Sequence, residues 1–222
     1  MDGGRVRTTE ASVTDHSLQD GAAASCGAGP VADPVRRADA LSMERFAAGD
    51  RAAARDLTDR FLPLCYRLAC RLLSVQAEAE DVAQEAMMRL FAKAPDWQGE
   101  RARISTWLYR VTANLATDRL RARPTLPIEA ADAVPAPGPG PEAALTDRAR
   151  LLALQAALDG LPERQRLAIV LSQIEGVPQA EVAQVMGCGI EAVESLVARG
   201  KKGLAAALGP QRGALGFGGE DE

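Results

Sequence analysis

Apolar residues recur at three- and four-residue spacing over two stretches of the chain, about 42–123 and 144–208, with almost no alternation of period two. This spacing predicts amphipathic helices, each with one buried stripe. Residues 1–41 and 124–143 lack periodicity, and the second of these ranges is rich in proline and glycine. We therefore expect an all-α chain with two small helical domains joined by a flexible linker. The flanks would be a disordered N-terminal extension, 1–41, and a flexible acidic tail, 209–222.

The segment STWLYRVTANLATDRLRAR, 105–123, has two large aromatic residues at its start and a cluster of arginines at its end. Winding it as a helix at about 100° per residue from Arg103 places one apolar stripe on the predicted buried side. This stripe consists of Ile104, Leu108, Val111 and Leu115. A second face carries Arg103, Trp107, Arg110, Asn114, Thr117 and Arg121. A weaker apolar edge remains at Tyr109, Ala113 and Leu120.

Two interpretations of this polar face remain open. From 101 to 123 there are six arginines and one acidic residue, Asp118. Cations attract phosphates, and unstacked bases stack on aromatic rings with about 1–3 kcal/mol each, so the face suits separated nucleic acid strands. A solvated arginine face with Trp107 as an ordinary core anchor explains the same pattern. The segment alone supports both equally.

The preceding stretch, EAEDVAQEAMMRLFAKA, predicts a helix with an acidic exposed face. Its buried stripe would consist of Val82, Ala83, Ala86, Met87 and Leu90. The opposite face carries Asp81, Gln84, Glu85 and Met88. A di-metal bundle needs histidine beside such carboxylates, and neither helical stretch contains one. A solvated acidic face and a protein docking face remain the alternatives.

The second helical stretch contains a candidate helix-turn-helix. PQAEVAQVMGCGIEAVESLVARGKKGL predicts two helices around a glycine turn at Gly187, with Ala183 where the helices approach. The inner positions of the second helix would be Ile190, Val193, Val197 and Leu204. Its outer positions would be Glu191, Ser195, Ala198, Arg199 and Lys202, where a major groove would be met. An ordinary helical hairpin remains the alternative.

Charge and composition narrow the function classes. The formal net charge is −4, yet 42–123 holds 14 basic against 11 acidic residues and 144–208 holds 7 of each. The acidic excess thus lies in the tails and the linker, and nucleic acid binding stays possible. There is no apolar run of about 20 residues and no secretory signal, so we expect a soluble cytoplasmic protein.

Cysteine and catalytic motifs are sparse. The four cysteines form no CxxC pair, and the single histidine, His16, lies in the N-terminal extension. We therefore expect no disulfide framework, no zinc site and no cofactor. The sequence also shows no nucleophile with a base and no phosphate-binding glycine loop, so we expect no enzyme.

Four motifs in this order resemble the extracytoplasmic-function sigma factors of bacterial RNA polymerase. They are AEDVAQEAMMRLF, then STWLYRVTANLATDRLRAR, then the proline-rich linker, then LDGLPERQRLAIVLSQIEGVPQAEVAQVMG with its recognition helix. The likeness covers about residues 42–208. It implies a sigma region 2-like domain at 42–123 and a sigma region 4-like domain at 144–208.

The resemblance also implies roles for particular residues. Core polymerase would bind Asp81, Gln84, Glu85 and Met88. The loop at about 95–105 would capture an unstacked base, and the minus-ten DNA would meet Arg103, Ser105, Thr106, Trp107, Arg110, Asn114 and Arg121. Duplex minus-thirty-five DNA would meet Ser195, Arg199, Lys201 and Lys202. The implied partners are core RNA polymerase, promoter DNA as duplex and melted strand, and an anti-sigma factor that can be membrane-bound. We expect a monomer without a small-molecule substrate.

The recognition helix departs from the family pattern. Where the family commonly has valine, a basic residue, serine and arginine, this chain has Val193, Glu194, Ser195 and Leu196. With Glu191 also on the outer face, the helix should bind DNA more weakly or read an unusual element. This departure keeps two alternatives open: a sigma-mimicking decoy that binds an anti-sigma factor, and a free-standing helix-turn-helix regulator.

Overall fold

The computed structural model describes residues 33–97, 103–122 and 141–211, with side chains from 147 onward in the last range. Throughout these ranges the regular structure is helical and there is no strand, which confirms the all-α class. The described residues all belong to one compact unit of the chain. None of the described helices is long and apolar enough to cross a membrane.

The described residues form eight α-helices, which fall into two groups along the chain. The first helical group comprises α1 (Pro34–Ala47), α2 (Arg51–Leu72), α3 (Gln76–Lys93) and α4 (Ile104–Ala122). The second helical group comprises α5 (Pro141–Asp159), α6 (Glu163–Ile169), α7 (Gln179–Met186) and α8 (Ile190–Leu208). A π turn, Val170–Ile174, extends α6, and single 3₁₀ turns follow α3 and α8 at Ala94–Asp96 and Gly209–Gln211.

Helix α1 begins inside the range that the sequence assigned to a disordered extension. Asp33 is its N-cap and accepts a hydrogen bond from the Val35 amide at 3.1 Å, and Pro34 occupies the first helical position. Met43 is completely buried. The prediction of disorder therefore does not hold for 34–41, because this stretch begins a capped helix that is anchored in the core by Met43 further along.

Helix α5 likewise begins at Pro141, inside the predicted linker 124–143. Proline at a helix start costs little, since its missing N–H would have no intrahelical partner there. The linker up to 140, the extension before 33 and the tail after 211 lie outside the described residues.

The two helical groups share a hydrophobic core. One cluster belongs to the first group alone and surrounds Leu57, Leu90 and Leu108. The other cluster contains residues of both groups. Its members from the first group include Leu68, Leu72, Tyr109, Ala113 and Ala116, and its members from the second include Leu158, Ile169, Val182 and Val193. The second group therefore packs on α2 and α4 in this structure.

A buried polar cluster joins the same two groups. Arg166 of α6 donates to the Leu72 carbonyl at 3.0 Å and pairs with the Asp159 carboxylate at 3.1 Å. The Ser74 hydroxyl donates to that carboxylate at 2.6 Å. The guanidinium thus satisfies a carbonyl at the end of α2 while remaining paired, as a buried charge must be.

Two glycines let α8 lie close to the rest of the second group. A Cβ at Gly200 would lie 2.6 Å from Cγ1 of Ile169, and one at Gly203 would lie 2.6 Å from Cδ2 of Leu161. The turn before α8 depends on Gly187, whose φ of 60° is left-handed and ends α7 as the sequence predicted.

Candidate nucleic-acid interface

The predicted minus-ten residues lie on α4 and at its start, but they differ in exposure. Arg110, Asn114 and Arg121 are exposed, whereas Thr106 is buried. Arg103, Ser105 and Trp107 are half-buried. The structure thus brings the predicted residues together along one helix, with part of the set covered.

The cover comes from the second helical group. The Thr106 hydroxyl donates to Oε2 of Glu181 on α7 at 3.1 Å, and the Arg103 guanidinium lies 3.3 Å from Oε1 of the same carboxylate. Arg110 donates to the backbone carbonyl of Gln184. One helix, α7, therefore contacts three residues that the sequence assigned to DNA.

A fourth predicted minus-ten residue also contacts the second group. Arg121, near the end of α4, lies 3.2 Å from the carboxylate of Glu163 at the start of α6. Both side chains are substantially exposed, so this ion pair contributes little to stability. Asn114 lies between these contacts on the exposed side of α4.

The buried side of α4 is broader than its periodicity predicts. Ile104 and Leu108 are completely buried, as expected, whereas Val111 and Leu115 are only half-buried. The edge predicted to be weaker is buried at Tyr109 and Ala113 and half-buried at Leu120, and Ala116 beside it is also buried. The spacing of apolar residues along α4 does not show that the second helical group packs on this edge, because the two groups are far apart in the chain. Burial raises the pKa of the Tyr109 phenol to about 12.

Two carboxylates from the N-terminal part of the chain hold the start of α4. The Arg103 guanidinium lies 2.7 Å from Oδ2 of Asp33, and this hydrogen-bonded pair lowers the pKa of the Asp33 carboxyl. Asp39, only 2% exposed, accepts a hydrogen bond from the Ile104 amide at 3.1 Å. Sequence reasoning missed both residues because it placed them in a disordered extension. The Asp-Pro pair at 33 and 34 is a helix-start signal that could have found α1.

The two tryptophans contact each other near the start of α4. The ring centroids of Trp97 and Trp107 lie 6.0 Å apart, with an interplanar angle of 85°. Such an edge-to-face arrangement is a favourable aromatic geometry. Trp107 is half-buried, so it packs against Trp97 while part of its surface remains open to solvent.

The acidic face of α3 is exposed at three of its four predicted positions. Asp81, Gln84 and Met88 are exposed, and Met88 keeps 66% of its surface. Glu85 is half-buried and pairs with Arg89 on the same helix at 2.9 Å, while Asp81 lies 3.6 Å from Arg119 of α4. The stripe predicted to be buried, Val82, Ala83, Ala86, Met87 and Leu90, is buried.

Helix α8 exposes the predicted groove-facing residues Ser195, Arg199, Lys201 and Lys202. Arg199 donates to the Ser195 hydroxyl at 2.9 Å, one turn earlier on the helix. Ile190 was predicted to lie inside but is 47% exposed. It is the first residue of α8, directly after the Gly189 N-cap, where no preceding turn of the helix covers it.

Among the described residues, no group of histidine, cysteine, aspartate or glutamate is arranged to hold a metal ion. Two carboxylates of α3, Asp81 and Glu85, instead pair with arginines.

Family profiles and relatives agree with these elements. Sigma-70 region 2 matches residues 57–124, and Sigma-70, region 4 matches 151–204. The chain is 38% identical to the ECF RNA polymerase sigma factor SigE of Mycolicibacterium smegmatis over 71% of this chain and 63% of that protein. It is 30% identical to SigW of Bacillus subtilis over 70% of this chain and 89% of that protein. For SigM of Mycobacterium tuberculosis the identity is 34%, over 78% and 86%.

Two solved structures share the fold. CnrH, in complex with the cytosolic domain of CnrY, superposes with a TM-score of 0.59 at 26% identity, over 78% of this chain and 98% of CnrH. The sigma factor RpoE of Bartonella quintana, in complex with the anti-sigma factor NepR, gives 0.59 at 25% identity, over 69% and 95%. These comparisons confirm the resemblance found in the sequence: the chain belongs to the extracytoplasmic-function sigma factors of the sigma-70 family.

Proposed function

We propose that this protein is an alternative sigma factor that binds bacterial core RNA polymerase, recognises minus-thirty-five and minus-ten promoter elements and promotes strand separation. The observation that carries the proposal is the exposed face of α4, where Arg110, Asn114 and Arg121 follow the half-buried Trp107. Cations hold the backbone of a separated strand, and an aromatic ring stacks on its bases. The chain supplies binding energy in this proposal, with no catalytic residue or cofactor.

The other two surfaces have separate tasks in this proposal. The exposed side of α3, with Asp81, Gln84, Glu85 and Met88, docks on core polymerase. Its carboxylates would meet cations, and Met88 adds a flexible apolar contact at the centre. The exposed side of α8, with Ser195, Arg199, Lys201 and Lys202, enters the major groove of the minus-thirty-five duplex.

The packing of α7 on α4 implies that promoter binding requires opening. The Glu181 carboxylate accepts a hydrogen bond from the Thr106 hydroxyl and pairs with the Arg103 guanidinium. Both groups are donors that a DNA phosphate would use. A closed chain therefore offers the melted strand a smaller and less positive surface. We propose that engagement of α3 by core polymerase is accompanied by separation of the two helical groups.

The expected partners follow from the relatives. CnrH was solved with the cytosolic domain of CnrY, and RpoE with the anti-sigma factor NepR. We propose that this chain also has an anti-sigma partner, which can be membrane-bound, and that the chain acts in the cytoplasm as a monomer.

Run-off transcription with purified core polymerase tests the proposal. Genomic fragments would be supplied as templates, because the promoter is unknown, and transcripts should appear only when core and this protein are both present. A decoy would bind an anti-sigma factor without supporting any transcript. A free-standing regulator would bind duplex DNA equally well without core. Either result would replace the sigma factor proposal.

A further inference from the structure

Asp39 is a buried carboxylate that none of the proposed binding surfaces uses. It lies on α1 and is 2% exposed. Its Oδ1 accepts a hydrogen bond from Arg60 Nη2 of α2 at 2.9 Å, and its Oδ2 accepts one from the Ile104 amide of α4 at 3.1 Å. One side chain on α1 thus contacts both α2 and the first residue of α4, the helix that carries the proposed minus-ten surface.

Helix α4 needs such a partner because its own sequence provides no cap. The first amides of a helix have no intrahelical acceptor and are usually satisfied by a serine, threonine, aspartate or asparagine at the N-cap. The residue before Ile104 is Arg103, whose side chain only donates. Asp39 supplies the missing acceptor from 65 residues away in the chain.

The other capped helices of the first group differ in this respect. Asp33 caps α1 through the Val35 amide, and Asp50 caps α2 through the Ala52 amide, each only two residues away. A local cap stabilises a helix without fixing where the helix lies. A cap from another element also ties the end of α4 to α1, and so fixes its position in the bundle.

Arg60 and Asp33 make this tie more specific. Arg60 donates a hydrogen bond to Oδ1 of Asp39, so the carboxylate can turn only its other oxygen toward α4. The Arg60 guanidinium lies 4.7 Å from the centroid of the Phe61 ring, where a cation is attracted to the ring face. Asp33, on the same side, holds Arg103 at 2.7 Å. Two carboxylates therefore hold the beginning of α4: Asp33 at the N-cap of α1 and Asp39 within α1.

We infer that Asp39 is a positioning residue for promoter melting: it fixes the first turn of α4, and thereby the placement of Trp107 and Arg110 against the separated strand. This inference rests on the proposed function of α4. Asp39 itself touches no DNA, because it is buried beneath the helix start. Its effect is expected in open-complex formation, whereas core binding through α3 should not depend on it.

The test compares Asp39→Ala with Asp50→Ala in the full chain. Asp50 is a matched control, since it is also an N-cap carboxylate paired with an arginine, Arg45, but it caps α2. We expect Asp39→Ala to lower open-complex formation with core on an active promoter about five- to tenfold, the size of a lost cap. Its affinity for core should match that of the wild type. Asp50→Ala should retain open-complex formation within about twofold of the wild type. Each variant is measured at the same number of degrees below its own melting temperature.

A second variant separates capping from general stability. In Asp39→Asn the amide oxygen can still accept from Ile104, so this variant should recover more open-complex formation than Asp39→Ala. Amide hydrogen exchange gives a readout that needs no polymerase: Asp39→Ala should speed exchange in the first turn of α4, 104–107, more than elsewhere. Equal defects in Asp39→Asn and Asp39→Ala, or faster exchange spread evenly over all helices, would overturn the inference.

The two proposals fail in distinguishable ways. If the wild-type chain forms no open complex with core, the proposed function fails, while the exchange experiment still judges whether Asp39 holds α4. If the wild type is active and Asp39→Ala is equally active, the positioning role fails and the sigma factor proposal stands.

Discussion

The Thr106 hydroxyl and the Glu181 carboxylate are joined by a 3.1 Å hydrogen bond between α4 and α7. Thr106 lies among the predicted minus-ten residues, and Glu181 belongs to the first helix of the helix-turn-helix. The same carboxylate lies 3.3 Å from Arg103. A single acidic side chain of the second helical group therefore holds two donors of the first group that the proposed function assigns to the phosphate backbone.

Replacing Glu181 with alanine should favour the open arrangement. A hydrogen bond of this kind contributes about 1 kcal/mol, so the ratio of open to closed chains should rise roughly fivefold. The shared apolar cluster around Tyr109 remains, and closure should be weakened rather than lost. Fluorescence anisotropy with a single-stranded minus-ten oligonucleotide, without core polymerase, should show tighter binding by the variant.

Glu191→Ala is the control for the change in charge. Glu191 is exposed on α8 and its removal changes the net charge equally. If both variants bind the oligonucleotide equally more tightly, the effect is general electrostatics, and Glu181 has no special part in closure.

Charge reversal on α3 should weaken core binding. Asp81 and Glu85 are on the side of α3 opposite its buried stripe, and converting both to lysine would oppose a basic partner surface. We expect at least about a tenfold loss in affinity for core, measured by pull-down or interferometry, with helical content unchanged. The matched control reverses Asp56 and Asp59, which are exposed on α2. Equal losses for both pairs would leave the docking surface unassigned.

Trp107→Ala should reduce open-complex formation more than promoter binding in the closed complex. The ring keeps part of its surface exposed while its edge-to-face contact with Trp97 holds it in place. Loss of a stacking platform costs about 1–3 kcal/mol per base. Permanganate footprinting of unpaired thymines measures the melted state, and a gel shift measures the closed complex. A large fall in melting temperature with both complexes reduced alike would instead make Trp107 a core residue.

The sequence predicted those features that depend on periodicity within one helix. The buried stripe of α3 and the outer face of α8 follow from 3.6-residue spacing, because each helix packs on neighbours close in the chain. Gly187 was placed correctly in its turn, since a left-handed residue at a helix end strongly favours glycine.

The features that the sequence missed depend on contacts between distant segments. Nothing in the spacing of α4 indicates that Tyr109 and Ala113 meet the second helical group. Likewise, Asp39 caps α4 from 65 residues away in the chain, and the composition of 1–41 predicts disorder rather than a helix there. The close approach of Gly200 to Ile169 and of Gly203 to Leu161 could not be predicted either, because the sequence does not show which residues lie opposite these glycines.

The pairing of Asp33 with Arg103 should make part of the stability depend on pH. The hydrogen bond from Arg103 lowers the folded-state pKa of Asp33, whereas the unfolded carboxyl titrates near its ordinary value of about 3.9. The stabilisation is therefore present above about pH 4 and is lost as the pH falls through the lower folded-state pKa. Asparagine is also a good N-cap, so Asp33→Asn removes the charge and keeps the cap. Its melting temperature should lie below that of the wild type at about pH 7, and the gap should narrow toward about pH 3. A gap independent of pH would exclude the ion pair as its cause.

Glu194 tests the recognition helix, where the chain departs from its own family. It is exposed on α8 beside Ser195, and its charge would oppose the phosphates of a bound duplex. Glu194→Lys should therefore tighten duplex binding and steepen the salt dependence, by about 0.9 in the slope of log K against log salt for each added phosphate contact. An acidic side chain can also accept from a cytosine amine, and in that case the variant would lose affinity for the matched promoter only. Titrations of matched and scrambled duplexes at several salt concentrations separate these results, because tighter binding to both identifies Glu194 as a repulsive neighbour of the backbone. Unchanged binding to both would place this face of α8 away from DNA and favour a decoy over a sigma factor.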